Sequence, residues 1–296
     1  ATTGNITQTG ALNVGGASSF TVDAAGSNIV LGEANAFSGA VTLLAGTAGD
    51  QTFGNVTFKD DSAIKLDANA DAAGDLFLDA GSDGAVGGNL AITATTGNIT
   101  QGVALTVSGT SAFTTSADDA DITLTQANAL TGAVTFTSTD TNADNAEDID
   151  LTNSIAVILG GSTDTGTLDV TATTGNITQT GALNVGGASS FTTSADDADI
   201  TLTQANALTG AVTFTSTDTN ADNAEDIDLT NSIAVILGGS TDTGTLDVTA
   251  TTGNITQTGA LNVGGASSFT VDAAGSNIVL GEANAFSGAV TLLAGT

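Results

Sequence analysis

The sequence contains no histidine, cysteine, proline, methionine, tryptophan or tyrosine, and its two basic residues, Lys59 and Lys65, stand against 32 acidic ones. Without cysteine, disulfides and thiolate metal sites are excluded; this fits a secreted protein and a reducing compartment alike. A net charge of −30 repels phosphate groups. We therefore expect no nucleic-acid partner and no membrane insertion. Self-repulsion of this size suits high salt or an exterior rich in divalent cations.

The same absences argue against an enzyme. Parallel β-helices that cleave polysaccharides place paired carboxylates in a groove, next to basic or aromatic side chains that contact the sugar. This sequence has no arginine, histidine, tryptophan or tyrosine, and most of its acidic residues recur in identical copies. We therefore expect no catalytic activity.

Internal repetition dominates what the sequence does contain. Residues 113–192 reappear unchanged as 191–270, and residues 1–47 reappear as 250–296. Fixed-period similarity is typical of solenoids and repeat arrays. The sequence thus predicts one continuous solenoid over 1–296, a window of a longer array. Its units are a longer, divergent repeat (11–103), two 78-residue repeats (104–181 and 182–259) and partial units (1–10 and 260–296).

Apolar and hydroxyl residues alternate with a period of two, as in 121–125 and 133–137. This alternation, with many β-branched residues and no helical periodicity, predicts strands and almost no helix. The missing proline agrees, because a strand ladder needs every backbone N–H. We expect four side chains of these segments to point inward: Ile122, Leu124, Val134 and Phe136.

The 78-residue repeat can be cut at recurrent turn residues into three coils of nearly equal length, 182–206, 207–232 and 233–259. Each coil carries about three short strand segments, which would stack on the coil before. The predicted fold is therefore an all-β, right-handed parallel β-helix of about 25- to 27-residue coils, three per 78-residue repeat, rising roughly 4.8 Å per coil. In this alignment Phe191, Phe214 and Val248 share one column.

One asparagine recurs just before the coil boundaries. Asparagine tolerates turns and forms side-chain ladders between stacked strands, so a structural role is expected. The residues are Asn35, Asn128, Asn206 and Asn284.

The segment 63–103 is longer than its counterpart in the other repeats, and both lysines lie near its start. Two arrangements are open: one coil with a long outward loop, or two short coils of about 20 residues. Drift between repeats and a lateral docking site are the two explanations for the extra length.

An acidic pattern with oxygen-bearing side chains at positions 1, 3, 5 and 9 occurs three times. Hard cations such as Ca²⁺ are held by alternating oxygen ligands of this kind. The glycine and glutamate of an EF-hand loop are missing, so a solvated acidic turn is the alternative. The candidate calcium ligands are Asp67, Asn69, Asp71 and Asp75; Asp140, Asn142, Asp144 and Asp148; and Asp218, Asn220, Asp222 and Asp226.

The strings at 175–185, 121–125 and 130–135 resemble the β-strand repeats of filamentous-haemagglutinin-like adhesins, giant bacterial surface proteins. The resemblance is one of composition and rhythm, and it covers nearly the whole chain. It implies a secreted parallel β-helical filament at the cell surface or outside the cell, exported by a two-partner or autotransporter route. It also implies adhesion to host or neighbouring cells through regions outside this sequence.

The sequence is therefore interpreted as a structural segment of a bacterial surface or extracellular filament, serving as an adhesin stalk, sheath or matrix fibre. Its expected partners are further copies of itself or the continuation of the same chain. One alternative is a calcium-stabilised, self-assembling fibre subunit. The other is an ice-binding solenoid, in which Thr135, Thr137 and Thr139 would lie beside Thr171 and Thr173.

Overall fold

A computed structural model describes residues 1–46, 51–80, 84–139, 147–164, 166–216, 225–242 and 244–295. The chain forms two compact units, 1–153 and 154–296. Throughout the described ranges the regular structure consists of β-strands, and no α-helix occurs. The predicted all-β class is confirmed.

Short strands make up the first unit, because alternating Val, Ile, Leu, Phe and Thr suit a sheet with one buried face. The strands are β1 (Ile6–Thr7), β2 (Asn13–Val14), β3 (Ser18–Val22), β4 (Ile29–Phe37), β5 (Val41–Ala45), β6 (Val56–Asp60), β7 (Ile64–Asp67), β8 (Asp75–Asp79), β9 (Ala85–Val86), β10 (Leu90–Ala94), β11 (Ile99–Gln101), β12 (Thr106–Val107), β13 (Ser111–Thr115), β14 (Ile122–Leu130), β15 (Val134–Thr137) and β16 (Ile149–Asn153).

The second unit has the same character. Its strands are β17 (Val157–Asp164), β18 (Leu168–Ala172), β19 (Ile177–Gln179), β20 (Leu183–Val185), β21 (Ser189–Thr193), β22 (Ile200–Leu208), β23 (Ala211–Thr215), β24 (Ile227–Asn231), β25 (Val235–Asp242), β26 (Leu246–Ala250), β27 (Ile255–Gln257), β28 (Leu261–Val263), β29 (Ser267–Val271), β30 (Ala285–Phe286) and β31 (Val290–Ala294).

Each unit stacks its strands in parallel in two sheets. In the first unit the orders are β1-β4-β6-β10-β13-β15 and β3-β5-β8-β7-β11-β14-β16. In the second they are β17-β19-β22-β24-β26-β29-β31 and β18-β21-β23-β25-β28-β30. A chain that alternates between two sheets and always returns in parallel is a β-solenoid, as predicted.

The coils are shorter than the length predicted from the sequence. Paired residues most often lie about 23 positions apart, as for Ile6 with Ile29 and Ser189 with Val212. Spacing still varies, because turns differ in length: Ile200 pairs with Ile227, which pairs with Leu246. The predicted coil boundaries followed recurrent turn residues, which do not recur once per coil.

The 78-residue repeat also does not contain three whole coils. Strands β17 and β25 carry the same sequence in successive repeats, yet they lie in different sheets of the second unit. The chain crosses between the sheets seven times from one copy to the next, so a repeat spans three and a half coils. Phe191 and Phe214 do pair in one sheet, as expected, whereas Val248 lies in the other. Because inward and outward positions alternate identically in both sheets, sequence alignment does not reveal which sheet a strand joins.

The inward side chains form a narrow apolar core. The four predicted inward residues of β14 and β15 are fully buried, so that prediction is confirmed. Phenylalanine rings stack between neighbouring coils, with centroids 6.0 Å apart for Phe113 and Phe136 and 5.9 Å for Phe191 and Phe214. These contacts run from coil to coil, which is the nearest-neighbour pattern of a solenoid.

The long segment 63–103 adopts neither expected arrangement. Strand β7 is followed by β8, which pairs with it in parallel only ten residues later, with Lys65 opposite Asp75. Strand β8 inserts between β5 and β7, so the spatial order reverses the chain order at this point. The extra residues thus add one strand to one sheet.

Candidate functional site

The predicted asparagine ladder is the best-defined polar arrangement in the core. Asn206 is fully buried, and its side chain forms a reciprocal amide pair with Gln179 of the preceding coil, at 2.9 and 3.0 Å. Its Oδ1 also accepts a hydrogen bond from the amide of Leu183, at 2.9 Å. Its Nδ2 donates to the carbonyls of Leu202 and Thr230, each at 3.0 Å. One side chain therefore links three consecutive coils.

This arrangement, which we call the amide clasp, occurs four times among the described residues. The glutamine always precedes its asparagine by 27 positions in the sequence, and the reciprocal bonds measure 2.8 to 3.1 Å. The structural role of the asparagines is confirmed. Sequence reasoning missed the glutamine partners, although their constant spacing was visible. The pairs are Gln8 with Asn35, Gln101 with Asn128, Gln179 with Asn206 and Gln257 with Asn284.

A second ladder runs along the residues that precede strand starts. In the first unit, Oδ1 of each asparagine accepts a hydrogen bond from the backbone amide one coil further on. The steps run from Asn5 to Asn28, Asn55, Asn89 and Thr110, with distances of 2.6 to 2.9 Å. In the second unit Asp199 and Asp226 do the same for Asp226 and Thr245. Side-chain acceptors thus extend the backbone ladder into the turns.

The first predicted calcium set lies around the inserted strand β8. Asp67 accepts hydrogen bonds from Lys65 and from the amide of Ala68, and both bonds lower the pKa of its carboxyl. Asp75 is buried and accepts from the amides of Asp71 and Ala72 at 3.2 and 2.7 Å. Asn69 and Asp71 lie in the same loop, and Asp71 is exposed. The carboxylates of Asp67 and Asp75 thus accept hydrogen bonds from residues of the same segment. Calcium binding at this set remains a prediction.

Most of the two other sets lies outside the described residues, namely Asp140, Asn142 and Asp144, and Asp218, Asn220 and Asp222. Their ninth positions are described. The amide of Asp148 donates to Asp121 at 3.1 Å, and Asp226 Oδ1 accepts from the Thr245 hydroxyl at 2.7 Å.

Two clusters of three acidic residues, which sequence reasoning missed, lie close to these segments. Within the described ranges, Asp118, Asp119 and Glu147 can bring one oxygen each within 4.8 Å of the others, and so can their copies Asp196, Asp197 and Glu225. The glutamates are fully buried. Glu147 accepts a hydrogen bond from the amide of Asp119 at 3.2 Å, where the backbone is left-handed with φ of 56°. Oxygen ligands of this type suit a hard cation. In the sequence, the available signal was an Asp-Asp pair followed one coil later by a glutamate.

A further acidic pair faces outward from one sheet of the second unit. Asp228 and Asp247 are register partners on β24 and β26, beside a shallow pocket of ≈ 240 Å³ lined in part by threonines. Burial raises the pKa of Asp228, and the charges of Asp247, Asp226 and Asp199 add to the shift. A raised pKa in the folded state means that the charged form opposes folding; this cost is relieved as the pH falls through the folded-state value.

A shallow pocket of ≈ 300 Å³ borders the inserted strand; small side chains form most of its lining, to which Lys65 and Asp75 also contribute. Lys65 is exposed, and its hydrogen bond to Asp67 raises the pKa of its amino group. A lateral docking site on the segment 63–103 stays a prediction.

Threonine forms a continuous outward row in one sheet of the second unit, from Thr171 through Thr192 and Thr215 to Thr241. The parallel row two residues earlier contains Asp169, Ser190, Thr213 and Gly239. The double Thr-x-Thr row of the ice-binding alternative is therefore interrupted. In the first unit Thr135 lies beside Ala112.

The fold and its coil-to-coil polar links define a repeat protein built as a parallel β-solenoid. The chain belongs to a family described as repeats of unknown function (DUF5649), which matches residues 1–44, 48–137, 139–215 and 217–293. No curated protein and no solved structure matches the chain. Within the described ranges, no helix has the length and apolar character required to cross a membrane.

Proposed function

We propose that the chain is a structural segment of a bacterial surface or extracellular filament, working as a stalk, sheath or matrix fibre whose length depends on the number of repeats. The amide clasp carries the proposal. It recurs along the array and joins neighbouring coils through a part-buried glutamine and an asparagine that is fully buried in three of the four pairs, as expected of a scaffold whose stability is a sum of coil-to-coil contacts. The resemblance of the strand repeats to filamentous-haemagglutinin-like adhesins supports the extracellular location.

The location can be tested on intact cells of the source bacterium with antibodies raised against the 296-residue chain. We expect labelling on the outside of the cells or on shed fibres, and loss of the surface label after external protease treatment. Labelling that appears only after permeabilisation would reject the extracellular part of the proposal. An antibody against a cytoplasmic protein controls for lysis.

A calcium-stabilised form of the same scaffold is the second candidate. It is favoured by the two clusters of three acidic residues that contain Glu147 and Glu225. Ca²⁺ would relieve repulsion among these carboxylates, and binding would raise stability by RT ln(1 + [L]/Kd) per site. Thermal melting should then rise saturably with CaCl₂ and much less with NaCl at equal ionic strength.

Variants separate site binding from general screening. Asp118→Asn together with Asp196→Asn should remove much of the calcium-dependent rise, whereas Asp169→Asn, an exposed strand residue outside both groups, should leave it intact. Asp140→Asn with Asp144→Asn and Asp148→Asn tests the ligands predicted from sequence. Equal melting shifts in the two salts would reject calcium binding.

A further inference from the structure

Five asparagines stand two positions before a threonine, in the pattern Asn-x-Thr with no proline at x. In secreted proteins this pattern is the acceptor for N-linked sugars. Four of the five share the string Asn-Ile-Thr and are copies within the array, so they count as one occurrence. The fifth, Asn55-Val56-Thr57, has a different middle residue and lies in the divergent repeat. The asparagines are Asn5, Asn55, Asn98, Asn176 and Asn254.

The fold directs the asparagine and the threonine of the fifth pattern to the outside. Val56, the middle residue, is 1 % exposed and points into the core. Because successive side chains of a strand point to opposite faces, Asn55 and Thr57 lie on the outer face of β6. Asn55 is exposed and Thr57 is half-buried. Both groups that an acceptor site requires therefore face outward together.

The hydrogen-bond ladder along the strand starts sets the direction of the Asn55 amide. Its Oδ1 accepts a hydrogen bond from the backbone amide of Asn89, one coil further on, at 2.8 Å. Its Nδ2 donates no hydrogen bond to any described residue. The nitrogen is thus available at the surface, and the oxygen keeps its ladder bond when a group is attached to the nitrogen.

The other sites divide into two kinds. Asn254 resembles Asn55: it is exposed, its Oδ1 accepts a backbone hydrogen bond from the next coil at 2.8 Å, and its Nδ2 has no partner in the described ranges. Asn98 and Asn176 are half-buried, and their Nδ2 atoms donate to the carboxylates of Asp121 and Asp199 at 3.1 and 3.3 Å. Carboxylates thus hold the nitrogen at two sites and leave it available at the other two.

The same ladder contains a natural control. Asn89 is exposed, and its Oδ1 accepts a hydrogen bond from the backbone amide of Thr110 at 2.9 Å. Two positions after Asn89, however, stands Ala91 in place of threonine. Asn89 therefore shares the ladder position of Asn55 and lacks the hydroxyl of the acceptor pattern.

We propose that Asn55 and Asn254 carry N-linked sugars. In the transfer, Nδ2 forms a bond to C1 of a sugar that is activated as a diphosphate ester. The bond between C1 and the ester oxygen breaks, its electron pair leaves with the diphosphate, and one proton leaves the nitrogen. The proposal rests on the proposed extracellular location and deepens it by assigning a covalent modification.

The solenoid accommodates this modification without a change in its core. The buried middle residues, Val56 and Ile255, take no part in it. The Oδ1 atoms of both asparagines keep their bonds to the next coil. An attached sugar adds a bulky, well-hydrated group on the outside of the coil, next to the start of a strand.

Peptide mapping by mass spectrometry tests the proposal on the chain isolated from the surface or medium of the source bacterium. With only two lysines in the sequence, cleavage before aspartate is more suitable than trypsin, and it releases 50–59 with Asn55 as its one asparagine. We expect a sugar on Asn55 and on Asn254, and none on Asn89. A single sugar indicates a nucleotide-linked donor, and a preassembled oligosaccharide indicates a lipid-linked donor; either result supports the proposal.

Three variants test the role of the threonine hydroxyl. Thr57→Val keeps the shape of the side chain and should abolish the modification of Asn55, whereas Thr57→Ser should retain it. Ala91→Thr completes the pattern at Asn89 and should add a sugar there. Position 91 is half-buried on the outer face of β10, where threonine is common, so this change suits the strand.

Unmodified Asn55 and Asn254 in chain recovered from outside the cell would overturn the proposal. So would a sugar that persists on Asn55 in Thr57→Val, or one attached to serine or threonine. These results leave the scaffold function intact, because the surface labelling of cells tests it separately. Labelling confined to permeabilised cells would instead reject the extracellular location, and the modification with it.

Discussion

Replacing Asn206 by alanine should weaken the solenoid locally by several kcal/mol. The side chain is fully buried and makes five hydrogen bonds, to Gln179, Leu183, Leu202 and Thr230. Alanine leaves the amide of Leu183 and the carbonyl of Leu202 buried without this partner. Each buried group that loses its partner costs about 1 to 3 kcal/mol, so for these two groups we expect a loss of roughly 2 to 6 kcal/mol.

Asn206→Asp separates hydrogen bonding from packing, since aspartate has almost the same shape. A carboxylate still accepts hydrogen bonds from Leu183 and Gln179, but its second oxygen faces the carbonyls of Leu202 and Thr230. At pH 7 we expect a cost at least equal to that of alanine. Stability should recover as the pH is lowered, because the protonated carboxyl regains a donor.

Hydrogen exchange is the suitable assay, because a repeat array opens locally and a single unfolding transition does not describe it. Protection should fall in β20, β22 and β24, which the clasp joins. Asn184→Ala is the control; its side chain is exposed, so the change should stay within about 0.5 kcal/mol. A loss below about 1 kcal/mol for Asn206→Ala, or full tolerance of aspartate at pH 7, would refute the role assigned to the clasp.

Three further changes follow from the core and the charges. Phe214→Ala should cost about 3 to 5 kcal/mol of stability, since the ring is fully buried and stacked on Phe191. Hydrogen exchange should rise in the coil of Phe214 and in the two flanking coils, and a uniform rise from residue 1 to 295 would contradict the nearest-neighbour model. Ser189→Ala should be neutral or stabilise by up to about 1 kcal/mol, because the buried hydroxyl makes no hydrogen bond; a clear loss of exchange protection would show that it has a partner. Asp228→Asn should raise the melting temperature at pH 7, since it removes a carboxyl whose pKa is raised in the folded state and whose charged form opposes folding. The melting temperature of the variant should also depend less on pH between pH 7 and about 4. An unchanged pH profile would contradict the proposed cost of the charged Asp228 carboxylate.

The alternation of side chains made the strands and the core predictable. A period of two assigns Ile122 and Leu124 to the inside whatever the partner strand is, and both are fully buried. The sheet to which a strand belongs depends instead on how many times the chain has passed from one sheet to the other. Turn length decides that number, and the turns here differ in length.

The reversed order of β7 and β8 was also beyond the sequence pattern. Each strand has the alternation of an ordinary coil strand, so nothing in either one marks which joins β5. The connection between them fixes the order. Parallel neighbours usually need a longer crossover than the short segment 68–74, so the sequence alone suggested one coil with a long outward loop or two short coils.

The polar sites were only partly predictable, because their members come from different coils. The asparagine of each clasp was identified, whereas its glutamine lies 27 positions away and appears as an ordinary strand residue. The carboxylate group of Asp118, Asp119 and Glu147 likewise depends on coil spacing. A search for local motifs therefore found the acidic turns and missed the group that stacking brings together.

Because a 78-residue repeat spans three and a half coils, successive copies of the same residue lie in different sheets. Comparing such copies shows which interactions are the same in both. Gln179 lies in β19 and its copy Gln257 in β27, and these strands belong to different sheets. Their clasps nevertheless have the same geometry, with Gln Nε2 to Asn Oδ1 distances of 2.9 and 2.8 Å. Interactions between neighbouring coils thus survive each duplication, whereas a given outward residue moves to the other sheet. A binding face that needs the same repeat position of every copy in one sheet does not arise from such a repeat, but a scaffold held together from coil to coil does.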